Sequence, residues 1–151
     1  MGVFRSQKMK KELIEIWLKT KAIRNRQKDI EKINSMINSA EINAKVAIGI
    51  KLNEDTATLI FREIYESIRQ LGDAKWWLLG YEPLNHEVSI EILKELDIKD
   101  KIKLNSLDRF KRMRHDINYR GFRATISQTE EILDFWNKCG EEILKNLKKE
   151  K

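Results

Sequence analysis

The sequence predicts an all-α fold: an up-and-down bundle of four to five core helices preceded by a basic N-terminal helix. Three observations carry that prediction. One proline and six glycines in 151 residues leave few chain breakers. Apolar residues recur every three to four positions, the period of a helix face rather than of a strand. The length suits one hydrophobic core that needs no covalent staples, and a single cysteine, Cys139, cannot form an internal disulfide.

Residues 6–25 read as a basic helix with Met9, Leu13, Ile16 and Trp17 on one face. A second helix, residues 28–51, carries Ile30, Ile33, Ile37, Ala40, Ala44, Ala47 and Ile48 on one stripe. Its alanines allow a neighbouring backbone to come close. A third begins after Asn53, the expected N-cap, with Glu54 and Asp55 at the positive end of the helix dipole. Its core face is Ala57, Ile60, Ile64, Ile68 and Leu71. Gly72 and the segment GYEPLNHE break the pattern. The adjacent Trp76 and Trp77 have faces on which bases stack, but the apolar area of such rings favours burial.

Asn85 is placed to cap a short helix running to about Leu96, and a further helix spans Ser106 to Tyr119. The last helix opens at Ser127, where Glu130 three residues on would complete a capping box. Its stripe is Ile132, Trp136, Cys139, Ile143 and Leu147, and its lysine tail sits at the negative end of the dipole. This divides the chain into an N-terminal helical extension, residues 1–27, and a bundle, residues 28–151.

The formal net charge of +6 conceals a segregation. Residues 1–28 hold nine Lys/Arg against two Glu, residues 54–98 four against ten acidic residues, and residues 99–123 nine against three. Basic surfaces of this kind favour an anionic partner, RNA above all for a small protein, and the acidic middle offers the complement for contact between two copies. No apolar run approaches the roughly 18 to 20 residues a membrane span needs. The start has neither the apolar block nor the small-residue cleavage site of a signal peptide, and Gly2 alone makes no lipidation signal. With one cysteine, read as a small apolar filler, a cytoplasmic setting is expected. His86 and His115 are the only histidines and stand in no metal-ligand spacing, so neither metal nor cofactor is expected.

The stretch from Arg114 to Gly121 concentrates the chemistry. On a helix, Leu107, Phe110, Met113 and Ile117 share the core face. Asp108, Arg112, His115 and Tyr119 follow at spacings of four, three and four and form a second row, flanked by Arg114 and Asn118. Arginine forks hold phosphate oxygens, imidazole moves protons near neutral pH, and amide and phenol groups make directional hydrogen bonds. The plainer reading is a solvated face laced by pairs such as Asp108 with Arg112, worth a few tenths of a kcal/mol, roughly. His86 reads as a loop-packing residue, with no second titratable motif around it.

The stretch LDRFKRMRHDINYRGF, followed after a short loop by SQTEEILDFWNKCGEEILKNL, resembles the HEPN domain, a small helical bundle. INSAEINAKVAIGIKL is similar to that fold's first core helix and GYEPLNHEVSIEIL to the loop and helix carrying a histidine after a proline; the likeness covers about residues 28–148. HEPN ribonucleases carry an arginine, four to six residues and a histidine, with two dimer-related copies lining one cleft. Arg114 followed by polar His115 matches the motif's start, but Tyr119 stands at the histidine position; Arg109 to His115 satisfies the spacing with poorer flanks. The resemblance implies a homodimer that binds RNA or a nucleotide, with metal-independent endoribonuclease activity. Arg114, His115 and Tyr119 would be catalytic, with Arg109, Arg112, Asn118 and Arg120 holding phosphate. It also implies a toxin whose partner is a nucleotidyltransferase antitoxin that adenylylates a motif tyrosine, here Tyr119, with a catalytically silent binding module as the alternative.

Overall fold

The computed structural model describes residues 2–151, with side chains from Lys11 onward. The Met9 side chain and the basic side chains before Lys11 therefore lie outside the described residues. The fold is an all-α bundle of α1 (Gly2–Lys19), α2 (Ile30–Ile48), α3 (Ala57–Leu78), α4 (His86–Leu93), α5 (Ser106–Arg120), α6 (Ile126–Phe135) and α7 (Glu141–Glu150). Among the described residues no helix is long and apolar enough to cross a membrane.

α3 is the central element because apolar residues surround it on several sides; Ile60, Phe61, Ile64, Ile68 and Leu71 are all fully buried. α2 lies antiparallel to it, with Ser39 accepting a bond from Gln70 and the Lys32 ammonium over the Trp77 ring at 4.5 Å. The alanines Ala40, Ala44 and Ala47 are buried at that seam, as their size predicts, while Ile30 and Ile48 at the two ends of the stripe stay exposed. α6, a π turn (Trp136–Gly140) and α7 form one rod along α3. The Thr129 hydroxyl donates to the Ala57 carbonyl near one end, and Lys75 reaches Glu150 at the other. The whole predicted stripe from Ile132 to Leu147 is buried, and Gly140 is needed there because a Cβ would lie 2.6 Å from the Trp136 ring.

Four local expectations are corrected. Gly72 does not end the third helix: it lies inside α3, where a Cβ would sit 2.7 Å from the Ser89 carbonyl carbon, so the glycine serves a close crossing with α4. Asn53 does not cap α3 directly. Its side chain accepts from the amides of Asp55 and Thr56, both at 2.9 Å, building a turn that delays the helix to Ala57. Thr125 rather than Ser127 caps the last helix, in a reciprocal box with Gln128. The first helix stops at Lys19 instead of running to residue 25. Lys21 takes a left-handed φ of 61°, and Ile23–Asn25 becomes a strand, β1, paired antiparallel with β2 (Tyr81–Pro83).

That short ribbon docks the N-terminal segment on the bundle. Ala22 and Ile23 are buried, and Trp17 meets Trp76 edge-on at 5.4 Å. Both Arg24 and Arg26 donate to Glu82, at 2.8 and 2.6 Å, and these bonds hold its carboxyl down at about 2. Trp76 and Trp77 are core residues, and the Trp76 indole donates to the Val88 carbonyl at 2.9 Å. Asn85 caps α4 as expected, accepting from the Val88 amide. Cys139 is a buried filler whose thiol burial pushes up to about 11.

Candidate functional site

α5 is anchored at both ends. A 3₁₀ turn (Lys101–Asn105) leads into it, and Gly121, left-handed at φ 65°, closes it with its amide on the Asp116 carbonyl. Leu107, Phe110, Met113 and Ile117 are buried, with Phe110 wedged edge-on between Phe61 and Phe135. With that face committed to the core, the second row is turned outward.

Among the described residues, the carboxylates of Asp108, Asp116 and Glu131 lie against cations other than Arg112 and Arg114. Asp108 pairs with Lys94 at 3.0 Å, and that hydrogen bond keeps its carboxyl below the usual range. Glu131 pairs with Arg109, and Asp116 faces Arg120 at 3.8 Å. The Asp108–Arg112 bridge of the plainer reading is therefore not formed, because α4 delivers a lysine to that carboxylate first. Among the described residues, Arg112, Arg114, His115, Asn118 and Tyr119 make no side-chain hydrogen bond and no ion pair. Arg112, His115 and Asn118 are exposed. Tyr119 is 72% exposed, with the His115 ring tilted against it at 4.9 Å. Arg114 is half-buried, its guanidinium 5.7 Å from the Tyr65 ring. Thus Arg112, His115 and Tyr119 form one open row, Arg114 lies at its edge toward α3, and Arg109 and Arg120 are occupied.

Beside Arg114 lies a polar seam that sequence reasoning missed. Arg69 on α3 pairs with Glu66 and, at 2.7 Å, with Asp73, while the Ser89 hydroxyl donates to Asp73. Burial works to raise the Glu66 carboxyl, but the bonded Arg69, with Arg114 and His86 nearby, holds it below its ordinary value. Asp73 is pushed up by burial, against the pull of Ser89 and Arg69. The seam opens into a cleft of about 490 Å³ between Lys32 and Met36 of α2, Arg69, Asp73 and Trp77 of α3, and His86. His86 thus faces a charged cleft instead of packing in a loop, and both Arg114 and His86 help to hold the Glu66 carboxyl down. The signal was present as Glu66, Arg69 and Asp73 at helical spacing, hidden by the assumption that α3 breaks at Gly72.

Burial pushes the Tyr65 phenol up to about 12, against the pull of Arg114, from an ordinary value of 10.0. Its folded form thus holds a proton that the unfolded chain releases, so this contribution to stability is complete below pH 10 and is lost as pH rises toward 12. Tyrosinate absorbance is expected to show a last ionisation at about pH 12 that Tyr65→Phe removes. Persistence of that step in the variant would assign it elsewhere.

Among the described residues no group of three or more His, Cys, Asp or Glu could hold a metal ion. No family model matches this chain, and no curated protein and no solved structure matches it either.

Proposed function

We propose that this protein is an RNA-directed helical module of HEPN type, with the outward row of α5 as its phosphate-contacting face. The observation that supports the reading best is the pair Arg112 and Arg114, without carboxylate partners among the described residues, beside the His115 and Tyr119 rings tilted against each other. The carboxylates one turn away, Asp108 and Asp116, lie against Lys94 and Arg120 instead. An unpaired guanidinium presents a fork of donors suited to phosphate oxygens.

In the proposed reaction Arg114 and Arg112 neutralise charge on the scissile phosphate. His115 accepts the proton of the neighbouring 2′-hydroxyl as its oxygen attacks phosphorus; the bond to the 5′-oxygen breaks, leaving a 2′,3′-cyclic phosphate, and the departing oxygen takes a proton from water to become a 5′-hydroxyl. Asn118 and Tyr119 orient the ribose and phosphate, and Arg109 and Arg120 reach flanking phosphates after exchanging their carboxylates. None of these roles calls on a metal ion. Leu59 and Phe122 are exposed near where the α5–α6 loop lies on the start of α3, giving a homodimer an apolar contact beside the row. The exposed Tyr119 hydroxyl is then accessible to a nucleotidyltransferase antitoxin.

A catalytically silent RNA- or nucleotide-binding module is the second reading, favoured because no carboxylate orients His115 among the described residues. Binding and cleavage separate in one experiment. Affinity for a single-stranded RNA is expected to fall steeply with salt, and Arg112→Ala to lower the slope of log affinity against log salt by about one. Salt-insensitive affinity, or an unchanged slope in the variant, would remove α5 as the phosphate face. Incubation of RNA with chelator present then decides between enzyme and binder.

A further inference from the structure

A second cavity, of about 220 Å³, lies between α3, α7 and the segment that follows α4. Leu96, Ile98, Ile143 and Leu147 give it apolar walls, and Lys75 is the one cation among the described residues that line it. Lys75 is unusual in its own right. It belongs to the central helix and is only 8% exposed, a burial that lysine adopts only when an anion accompanies it.

The anion is Glu150, whose two carboxylate oxygens lie 3.1 and 3.0 Å from the Lys75 ammonium. The two partners differ in situation: the Lys75 side chain is 10% exposed and Glu150 43%. The cation is therefore a fixed part of the cavity wall, whereas the carboxylate reaches in from the surface. Of the pair, only the anion can be exchanged without opening the core.

We infer that this cavity is a binding site for a small aliphatic monocarboxylate, whose head group replaces Glu150 on Lys75 and whose tail lies against Leu96, Ile98, Ile143 and Leu147. The charge of the ligand follows from the lining. One lysine balances one negative charge, and Asp97 at the same cavity disfavours a second, so a phosphate dianion fits poorly. The length follows from the volume: at the ~30 Å³ a water occupies in the liquid, the space holds about seven non-hydrogen atoms, and withdrawal of the Glu150 carboxylate from Lys75 adds the room that a six-carbon acid needs. This site is independent of the α5 row and of RNA.

The probe is sodium hexanoate, titrated calorimetrically into the full chain, with acetate as the charge-only and hexanol as the tail-only control. Glu150→Gln keeps an acceptor for Lys75 but removes the competing charge. It is expected to tighten hexanoate about tenfold, because apparent affinity rises with the fraction of molecules whose site is open. The double variant Lys75→Met/Glu150→Leu replaces both charges by apolar groups of similar bulk, an exchange that buried ion pairs tolerate, and is expected to lose hexanoate binding. Acetate and hexanol are each expected to bind at least about tenfold more weakly than hexanoate, since each supplies only half of the contact. Absence of saturable hexanoate binding by Glu150→Gln, or equal binding by the double variant, overturns the proposal and leaves Lys75–Glu150 as a staple between α3 and α7.

Discussion

Replacing Arg114 by alanine is expected to abolish RNA cleavage in the presence of chelator while leaving the fold intact. Under the proposed mechanism the guanidinium meets charge that grows on the phosphate in the transition state, and removing one such donor costs about a hundredfold to a thousandfold in rate. The structural cost is small by comparison. Arg114 forms no ion pair among the described residues, and its guanidinium lies over the Tyr65 ring, a contact worth about 0.5–1 kcal/mol at a partly exposed site. Circular dichroism of the variant should therefore match the wild type. Arg114→Lys keeps the charge and loses the fork, so it should recover part of the rate. Equal cleavage by wild type and Arg114→Ala sinks the catalytic role of this residue. Failure of the wild type to cut diverse RNAs sinks the ribonuclease reading and leaves the binding module.

The second large effect concerns stability. Gly72→Ala is expected to destabilise the protein by about 3 kcal/mol, at the upper end for overpacking, and to lower Tm by roughly 10 °C. The added Cβ would stand 2.7 Å from the Ser89 carbonyl carbon, and its neighbour is backbone, which cannot rotate away. Relief requires α4 to move. That movement would stretch the Trp76–Val88 hydrogen bond and the Asp73–Ser89 contact, both of which cross the same helix pair. Gly49→Ala is the control: its nearest neighbour would be at 3.4 Å and its φ of −74° suits any residue. It should be neutral or stabilising by about half a kcal/mol. Thermal denaturation followed by circular dichroism reads both, and an unchanged Tm in Gly72→Ala would show that α4 yields freely.

Much of the fold was legible because helix faces are local. The core residues of α2, α3, α5 and the α6–α7 rod stand at three- and four-residue spacing, and each such face is buried. The Asn85 cap was legible for the same reason, since donor and acceptor lie three residues apart. The candidate site was only half legible. Arg112, His115 and Tyr119 fall on one outward row by periodicity alone, but Arg69 and Asp73 stand in no recognisable motif and His86 reads as a loop-packing residue. Gly72 and the proline segment look like breaks from within the sequence. Whether a glycine ends a helix or admits a neighbour depends on what crosses it.

The same division accounts for the charges. The sequence by itself determined an all-α chain, its core faces and a basic, directional row on α5, because each follows from residue type and a period of 3.6. Only the tertiary structure decided which arginines of that row remain unpaired. Asp108 is four residues from Arg112 yet bonds Lys94, and Glu131 from α6 takes Arg109. Local spacing offers candidate partners, but an ion pair goes to the group that packing brings closest. That competition between elements leaves Arg112 and Arg114 as the arginines of the row without an ion pair among the described residues.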